Sequence, residues 1–166
     1  MKISAIRNTF LSLASLLMAN AAQSPTVDAP YAQYLVMSAM SAHPELQKMG
    51  IHVTPPNGRD DVIVACSVPS KIGKKSSPAD LEVERTGKPV VKTVTDQSFY
   101  DLALPLADSQ KRSIGMIVME MRFSGAASAE QSIEKAQTIV KDIESKIPEL
   151  KALFGRAPES AANANR

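Results

Sequence analysis

The chain has 166 residues, of which 44% are hydrophobic and 22% are charged. This composition is typical of a folded domain and excludes both a disordered chain and a fibrous repeat. Lys2 and Arg7 are the only charges before Asp28, so the 19 basic and 17 acidic residues become 17 of each once that segment is set aside. A neutral chain with no Trp, three Tyr and four Phe lacks the basic surface and the stacking platform of a nucleic-acid-binding protein.

The N-terminal residues 1–21 predict a signal peptide. Residues 1–7 are basic, residues 10–18 form an apolar run shorter than a membrane span, and Ala19-Asn20-Ala21 supplies the small residues that signal peptidase needs. Cleavage is expected after Ala21 or, alternatively, after Ala22. We therefore expect residues 22–29 to be a linker. The mature protein, which has no later apolar run of about 18 residues, is expected to be periplasmic or secreted, without a membrane span.

Two helices are predicted at the start of the mature chain. Apolar residues recur at helical spacing from Tyr31 to Met40, with Asp28 as a cap and Pro30 in the first turn. Pro44 interrupts this helix and is expected to open a second short helix over residues 44–49, which Gly50 ends.

A strand and a further short helix follow the turn predicted at residues 54–58. The apolar run Asp61–Ser67 is typical of a buried strand. Cys66 lies in this run and is the only cysteine, so it can form no internal disulfide and is expected to be a small buried hydrophobe rather than a reactive thiol. Ser77-Pro78 is expected to begin the short helix and Gly87 to end it.

The second half of the chain predicts three strands and a long helix. Residues 89–95 are rich in β-branched side chains, residues 100–106 alternate, and residues 113–123 form the longest apolar run, as in a central strand. One face of the alternating strand carries Tyr100, Leu102, Leu104 and Leu106. Ser128 is expected to open a helix whose apolar stripe reaches Ile147. These elements predict an α+β domain with helices packed on one antiparallel sheet.

Motifs that would identify an enzyme or a metal site do not occur in the sequence. His43 and His52 lie nine positions apart and match no metal-ligand spacing, and no Gly-x-Ser-x-Gly or phosphate-loop motif is present. We therefore expect no enzymatic activity and no cofactor. The methionines that recur among apolar residues are expected in the core: Met37, Met40, Met49, Met116, Met119 and Met121.

Asp101 and Glu120 are carboxylates inside predicted strands, which allows two interpretations. They could be paired on a solvent-facing side of the sheet. Alternatively, they could face a pocket and hold a cationic or hydroxylated ligand.

A cluster of basic residues surrounds the start of the predicted helix at Ser77. The bases of this segment are Lys71, Lys74, Lys75, Arg85, Lys88 and Lys92, and its acids are Asp80, Glu82 and Glu84. Ser76 and Ser77 stand where hydroxyl and backbone donors at a helix N-terminus can hold a carboxylate or a phosphate. The alternative is a solvated loop.

The order of these motifs resembles that of Cache domains, also called PDC or extracytoplasmic PAS-like sensor domains. The strand Asp61–Ser67, the run Lys71-Ile72-Gly73-Lys74, the capped helix and Thr86-Gly87-Lys88-Pro89 are similar to the first half of that family. Residues 100–106 and 114–120 are similar to its central hairpin. The resemblance implies a PAS-like antiparallel sheet of five or six strands, with a long N-terminal helix and a C-terminal helix, over residues 30–154. Residues 155–166 would then be a flexible tail.

The resemblance also implies a small-molecule pocket between the sheet and the loop-and-helix segment over one of its faces. The ligand-binding residues implied in this way are Lys71, Lys74, Lys75, Ser76, Ser77, Tyr100 and Asp101. Family members usually belong to membrane receptors, whereas this sequence ends after a helix and a short tail. We therefore expect a free-standing exported domain for a small anionic or zwitterionic metabolite, such as an organic acid or an amino acid. A membrane receptor or an envelope protein stays open as a partner. The alternative is an accessory or interaction domain with a vestigial pocket.

Overall fold

The computed structural model describes residues 27–158, which form three α-helices and a five-stranded antiparallel sheet. The helices are α1 (Pro30–Ala42), α2 (Pro78–Thr86) and α3 (Ala129–Glu144). The strands are β1 (Leu46–Val53), β2 (Val62–Cys66), β3 (Val90–Val94), β4 (Phe99–Ala107) and β5 (Ser113–Arg122). Their order across the sheet is β2-β1-β5-β4-β3. This architecture confirms the predicted α+β class. The predicted signal peptide, most of the linker and residues 159–166 lie outside the described residues.

The helix predicted over residues 44–49 is wrong, because this part of the chain belongs to β1. Pro44 does stop α1, which ends at Ala42, but β1 begins only two residues after it. β1 lies between β2 and β5, so strand pairing satisfies its backbone groups on both sides. Gly50 does not end an element either, since it pairs with Val118 in the middle of the strand. Pairing in the folded sheet therefore overrides the local helix signals.

The predicted N-terminal caps are confirmed for two of the three helices, α2 and α3. Ser77 caps α2 by accepting a hydrogen bond from the Asp80 backbone, and Gly87 ends the helix in the left-handed conformation with φ 65°. Ser128 caps α3 in the same way. The cap predicted for α1 is wrong, because α1 begins without a side-chain cap and Asp28 does not serve as one.

The main core lies on the sheet face that α1 and α3 cover. α1 packs against β1 and β2, and α3 packs mainly against β4. The largest side chains buried there include Met49, Ile51, Leu102, Leu104, Leu106, Ile117, Met119 and Met121. Met37 was expected in the core together with the other methionines. This prediction is wrong, because Met37 lies on α1 and is 49% exposed. A short 3₁₀ turn, Leu150–Phe154, closes this side against α1.

β5 approaches β1 so closely at Gly115 that a side chain does not fit there. A Cβ at this position would lie 2.2 Å from the His52 carbonyl oxygen and 2.8 Å from a Val53 methyl carbon. Its φ of 147° is also one that residues with side chains rarely adopt. The glycine is thus required at this position.

The opposite sheet face carries α2, which packs against β4 and β5. Val83 is the buried residue of this helix. It lies outside the main core, as do the buried side chains of Cys66 and Met116. α2 and the loop before it therefore cover one face of the sheet, and we call this face the α2 face.

Candidate functional site

A row of four charged side chains crosses the α2 face. The strand register places Lys92 of β3 opposite Asp101 of β4, and Asp101 opposite Glu120 of β5. Glu120 in turn lies opposite Lys48 of β1. Residues paired in this way point to the same side of the sheet, with Cβ atoms about 4.5–5.5 Å apart. We call this set the charged row; its two carboxylates lie in the middle and its two amines at the ends.

The two carboxylates of the charged row have different surroundings. Glu120 forms an ion pair with Lys48 and accepts a 3.1 Å hydrogen bond from Gln47 Nε2. Asp101 makes no side-chain hydrogen bond or ion pair with any residue between 27 and 158. Burial raises the pKa of Asp101; the Lys48 ammonium opposes this shift, and the Glu120 carboxylate adds to it. Like charges directly opposite each other destabilise a sheet, so this pair would favour a cation between its members.

Small and apolar residues line the α2 face beside the charged row. Gly50, Val118 and Ala103 are paired across β1, β5 and β4, one step along from the charged residues. Val83 of α2 is buried on this same face. A Cβ at Gly50 would lie 3.3 Å from the Ala65 carbonyl oxygen and 3.5 Å from both Cys66 Sγ and His52 Nε2, so neighbouring atoms already surround this position.

A buried polar chain, formed by His52, Ser76 and Asp61, lies next to these small and apolar residues. His52 Nδ1 lies 2.9 Å from Ser76 Oγ, and the Ser76 hydroxyl donates to Asp61 Oδ1. Asp61 is 9% exposed, and its Oδ2 atom has no hydrogen-bond partner in the described part of the chain. Burial raises the pKa of Asp61 to about 6 against the opposing Ser76 hydrogen bond, with the Glu84 and Asp80 carboxylates adding to the rise. Burial lowers the pKa of His52, so its ring is neutral at pH 7.

The donors at the start of α2 are engaged with the chain's own carboxylates. The Ser77 backbone N–H and hydroxyl donate to Asp80 Oδ2 at 3.0 and 2.8 Å. The Ser76 hydroxyl donates to Asp61. The carboxylate that lies at this helix end in the structure is the side chain of Asp80.

The lysines of the preceding loop make no hydrogen bond to this network in the described part of the chain. Lys75 Nζ lies 2.8 Å from Asp60 Oδ2, in an exposed ion pair. Lys71 and Lys74 are exposed, and their side chains form no ion pair within residues 27–158. The structure therefore does not gather the three predicted lysines around one point.

Tyr100 and Asp101, both predicted at the site, lie on opposite faces of the sheet. Tyr100 is buried in the main core, where its ring centroid lies 4.7 Å from that of Phe123. Asp101 faces α2 as part of the charged row. Only Asp101 of this pair is placed to meet a ligand on the α2 face.

Two residues of this arrangement, Lys48 and His52, were not expected from the sequence. Both lie on β1, and a helix over residues 44–49 could not reveal that Lys48 is opposite Glu120. The alternation Lys48-Gly50-His52, with buried apolar residues between, is the strand signal that would have indicated their common face.

A cleft of about 360 Å³ opens elsewhere, at the edge of the sheet beside β2. Its lining includes Arg59, Asp60 and Gly73 together with Phe154 near the C-terminal end. Gly73 belongs to the predicted loop, but none of the seven predicted ligand-binding residues lines this cleft.

Residues 27–158 contain no group of three or more His, Cys, Asp or Glu side chains that could hold a metal ion. No helix in this stretch is long and apolar enough to cross a membrane. Cys66 is a free, buried thiol, as expected for a residue that packs rather than reacts.

Together these features define an α+β domain with two helices on one face of its sheet and a partly covered, charged opposite face. No protein-family model and no curated protein matches the sequence.

Several solved structures are similar to this chain in fold at low sequence identity. A type II free methionine-R-sulfoxide reductase from Thermoplasma acidophilum is 12% identical with a TM-score of 0.48, over 76% of this chain and 93% of that one. The GAF domain of PixJ from Thermosynechococcus elongatus is 14% identical with a TM-score of 0.45, over 69% and 83% of the two chains. The inducer-binding domain of a double mutant of the PobR transcription factor from Acinetobacter, bound to 3-hydroxybenzoic acid, is 11% identical with a TM-score of 0.44, over 72% and 96%. These likenesses assign no function to this chain.

Proposed function

We propose that this chain is a non-enzymatic small-molecule-binding domain whose ligand carries an ammonium group. The observation that supports this proposal is the opposition of Asp101 and Glu120 on neighbouring central strands, where Asp101 faces Lys92 of β3 but makes no ion pair within 4 Å with any of the described residues. An ammonium group between the two carboxylates would pair with Asp101 and relieve the repulsion. The site is partly buried under α2, where such a contact is stronger than on an open surface.

The ends of the charged row favour a zwitterion over a purely anionic metabolite. Lys92 and Lys48 flank the two carboxylates, so a ligand with a carboxylate beside its amine would meet a cation at either end. Gly50, Val118 and Ala103 lie beside the row and would present small or apolar surface to such a ligand. We therefore propose an amino-acid-like metabolite as the ligand class.

We also propose that the domain acts outside the cytoplasm as a Cache-type sensor module. The basic start, short apolar run and small residues of positions 1–21 support export. An exported binding domain could present its ligand to a membrane receptor or an envelope protein.

A thermal-shift screen tests the proposed ligand class. The screen compares amino acids, simple amines, hydroxy acids and organic acids at equal concentration. A ligand at ~100 times its dissociation constant stabilises the native state by about 2.7 kcal/mol. For a domain of this size the melting temperature should rise by roughly 5–15 °C. Molecules with an ammonium group should give these shifts, and organic acids without one should not.

Variants distinguish the charged row from the basic loop as the binding site. Asp101→Asn should remove the shift, whereas Asp96→Asn, on the exposed turn of the same hairpin, should retain it. Lys74→Ala should also retain it. Hits that are lost on Lys74→Ala but persist on Asp101→Asn would move the site to the loop. A screen without any ammonium-bearing hit would contradict the proposal and favour an accessory interaction domain.

A further inference from the structure

The cleft of about 360 Å³ beside β2 has a mostly apolar lining and takes in no residue of the charged row. Its walls come from parts of the chain that are far apart in sequence: residues 27–28, positions within residues 55–62, Gly73 and Phe154. Its apolar side chains are those of Val27, Pro55, Val62 and Phe154. A concave, largely apolar space of this volume is typical of a site for a small molecule.

Hydrogen bonds within the chain hold the walls of this cleft in place. The Gly58 backbone N–H donates to the Pro55 carbonyl oxygen at 2.8 Å, which closes the turn on one side. The Gly73 N–H donates to a carbonyl oxygen of β2, also at 2.8 Å. Phe154 directly precedes Gly155, whose carbonyl oxygen accepts a 3.1 Å hydrogen bond from the first turn of α1. The cleft is therefore formed without the help of a ligand.

Three charged residues line the cleft, and they differ in their ionic partners. Asp60 Oδ2 lies 2.8 Å from Lys75 Nζ, so its charge is already paired. Arg59 and Asp28 are exposed, and neither makes a side-chain hydrogen bond or an ion pair with any residue of the stretch 27–158, including each other. Among the described residues, the cleft thus presents one guanidinium and one carboxylate whose charges are not matched.

These two groups recognise opposite ends of a zwitterion. A guanidinium carries donors in a planar fork that matches a carboxylate, and a carboxylate accepts hydrogen bonds from an ammonium group. A purely anionic ligand would leave Asp28 unmatched, and a purely cationic ligand would leave Arg59 unmatched. The apolar walls add a preference for a large apolar side chain, because its burial removes apolar surface from water.

We propose that this cleft is a second ligand site, which binds a zwitterion with a large apolar side chain, such as an aromatic amino acid. Arg59 binds the carboxylate of this ligand and Asp28 binds its ammonium group. Phe154 and Val27 contact its side chain. The site goes beyond the proposed function, because it shares no residue with the charged row.

Three related probes test the pairing of charges: L-phenylalanine, 3-phenylpropionate, which lacks the ammonium group, and phenethylamine, which lacks the carboxylate. The backbone amide signals of Gly58 and Gly73 in the ¹⁵N-labelled full chain report on the cleft. Phenylalanine should move both signals and bind roughly 2–5-fold more tightly than either of the other probes, as expected for exposed ion pairs. Free alanine, which has no large apolar side chain, should leave both signals unchanged.

Variants assign each charge of the ligand to its partner. Arg59→Gln should abolish the preference for phenylalanine over phenethylamine, and Asp28→Asn should abolish the preference over 3-phenylpropionate. Phe154→Ala should weaken all three probes by a similar factor. The matched control is Arg85→Gln, because Arg85 pairs with Glu82 on α2 and does not line the cleft. This control should change none of the three affinities.

Equal affinities of the three probes for the original chain would overturn the zwitterion assignment, and this comparison needs no variant to fold. Phenylalanine that leaves the Gly58 and Gly73 signals unmoved would overturn the site itself. A preference that survives in folded Arg59→Gln and Asp28→Asn variants would overturn the roles of these residues, where folding is judged from the amide spectrum.

Asp101→Asn separates this site from the charged row. Phenylalanine should move the cleft signals equally in the original chain and in this variant. Loss of these movements in folded Asp101→Asn protein would overturn the independence of the cleft. A charged row that binds no amine would contradict the proposed function while the cleft signals still respond, so the two proposals can fail separately.

Discussion

Gly115 shows how a single backbone position can govern the packing of two central strands. A Cβ there would meet a carbonyl oxygen of β1 at 2.2 Å, and backbone cannot move aside as a flexible side chain can. We expect Gly115→Ala to lower the free energy of unfolding by more than about 3 kcal/mol. Gly87 is the matched control, because its φ is also positive but nothing lies within 4 Å of its Cβ position. Gly87→Ala should cost only about 1–2 kcal/mol. Equal losses in urea unfolding would contradict this difference.

Asp61 is expected to make stability depend on pH in an unusual direction. Its folded-state pKa of about 6 lies above the ordinary value of 3.8, so the native state binds more protons than the unfolded chain between those values. The contribution of Asp61 to the free energy of unfolding should therefore rise as pH falls from 8 to about 5, against the opposite contribution of His52, whose folded-state pKa is lowered. Asp61→Asn should be the more stable protein at pH 8, by at most about 3 kcal/mol, and should reduce that rise. Urea unfolding at the two pH values measures this, with Asp60→Asn as control. A larger rise in Asp61→Asn would contradict the pKa direction.

Among the strands, β5 should contribute most to stability through its core residues. Ile117 is fully buried and is paired with Ile51 on one side and Leu104 on the other. Ile117→Ala should cost roughly 2–5 kcal/mol, through lost burial and the cavity left behind. Ile114→Ala should cost less, because Ile114 lies near the start of the strand and is 9% exposed. Sub-kcal losses at both positions would mean that β5 is not the centre of the sheet.

The elements also show what a sequence can reveal about this fold. β2, β3, β4, β5 and α3 were predictable because their apolar patterns agree with their local turn and cap signals. β1 was not, because Pro44 and Gly50 resemble helix boundaries, and its pairing with distant β5 has no local signature. The same error hid part of the candidate site, because Lys48 and His52 lie on β1. Asp101 and Glu120 were visible as carboxylates in strands, but their opposition to each other and to Lys48 exists only in the register of the folded sheet.

Export of the protein would leave a chemical mark at its N-terminus. The proposed signal peptide should be removed, leaving a mature protein that begins at Ala22 or Gln23. N-terminal sequencing of the protein from a bacterial periplasm measures this. An intact Met1 on the folded, fractionated protein would contradict the proposal.

The first and last elements of the domain pack against each other, so α1 can complete its packing only late in synthesis. The Tyr31 backbone N–H donates to the Gly155 carbonyl oxygen at 3.1 Å, and the turn Leu150–Phe154 packs on α1. β1 likewise gains its second neighbour only when β5 has been made. The earliest elements therefore stay incomplete until nearly the last described residues have emerged from the ribosome. The packing of α1 against Leu150–Phe154 is therefore a late event, possible only after every strand of the sheet has been made.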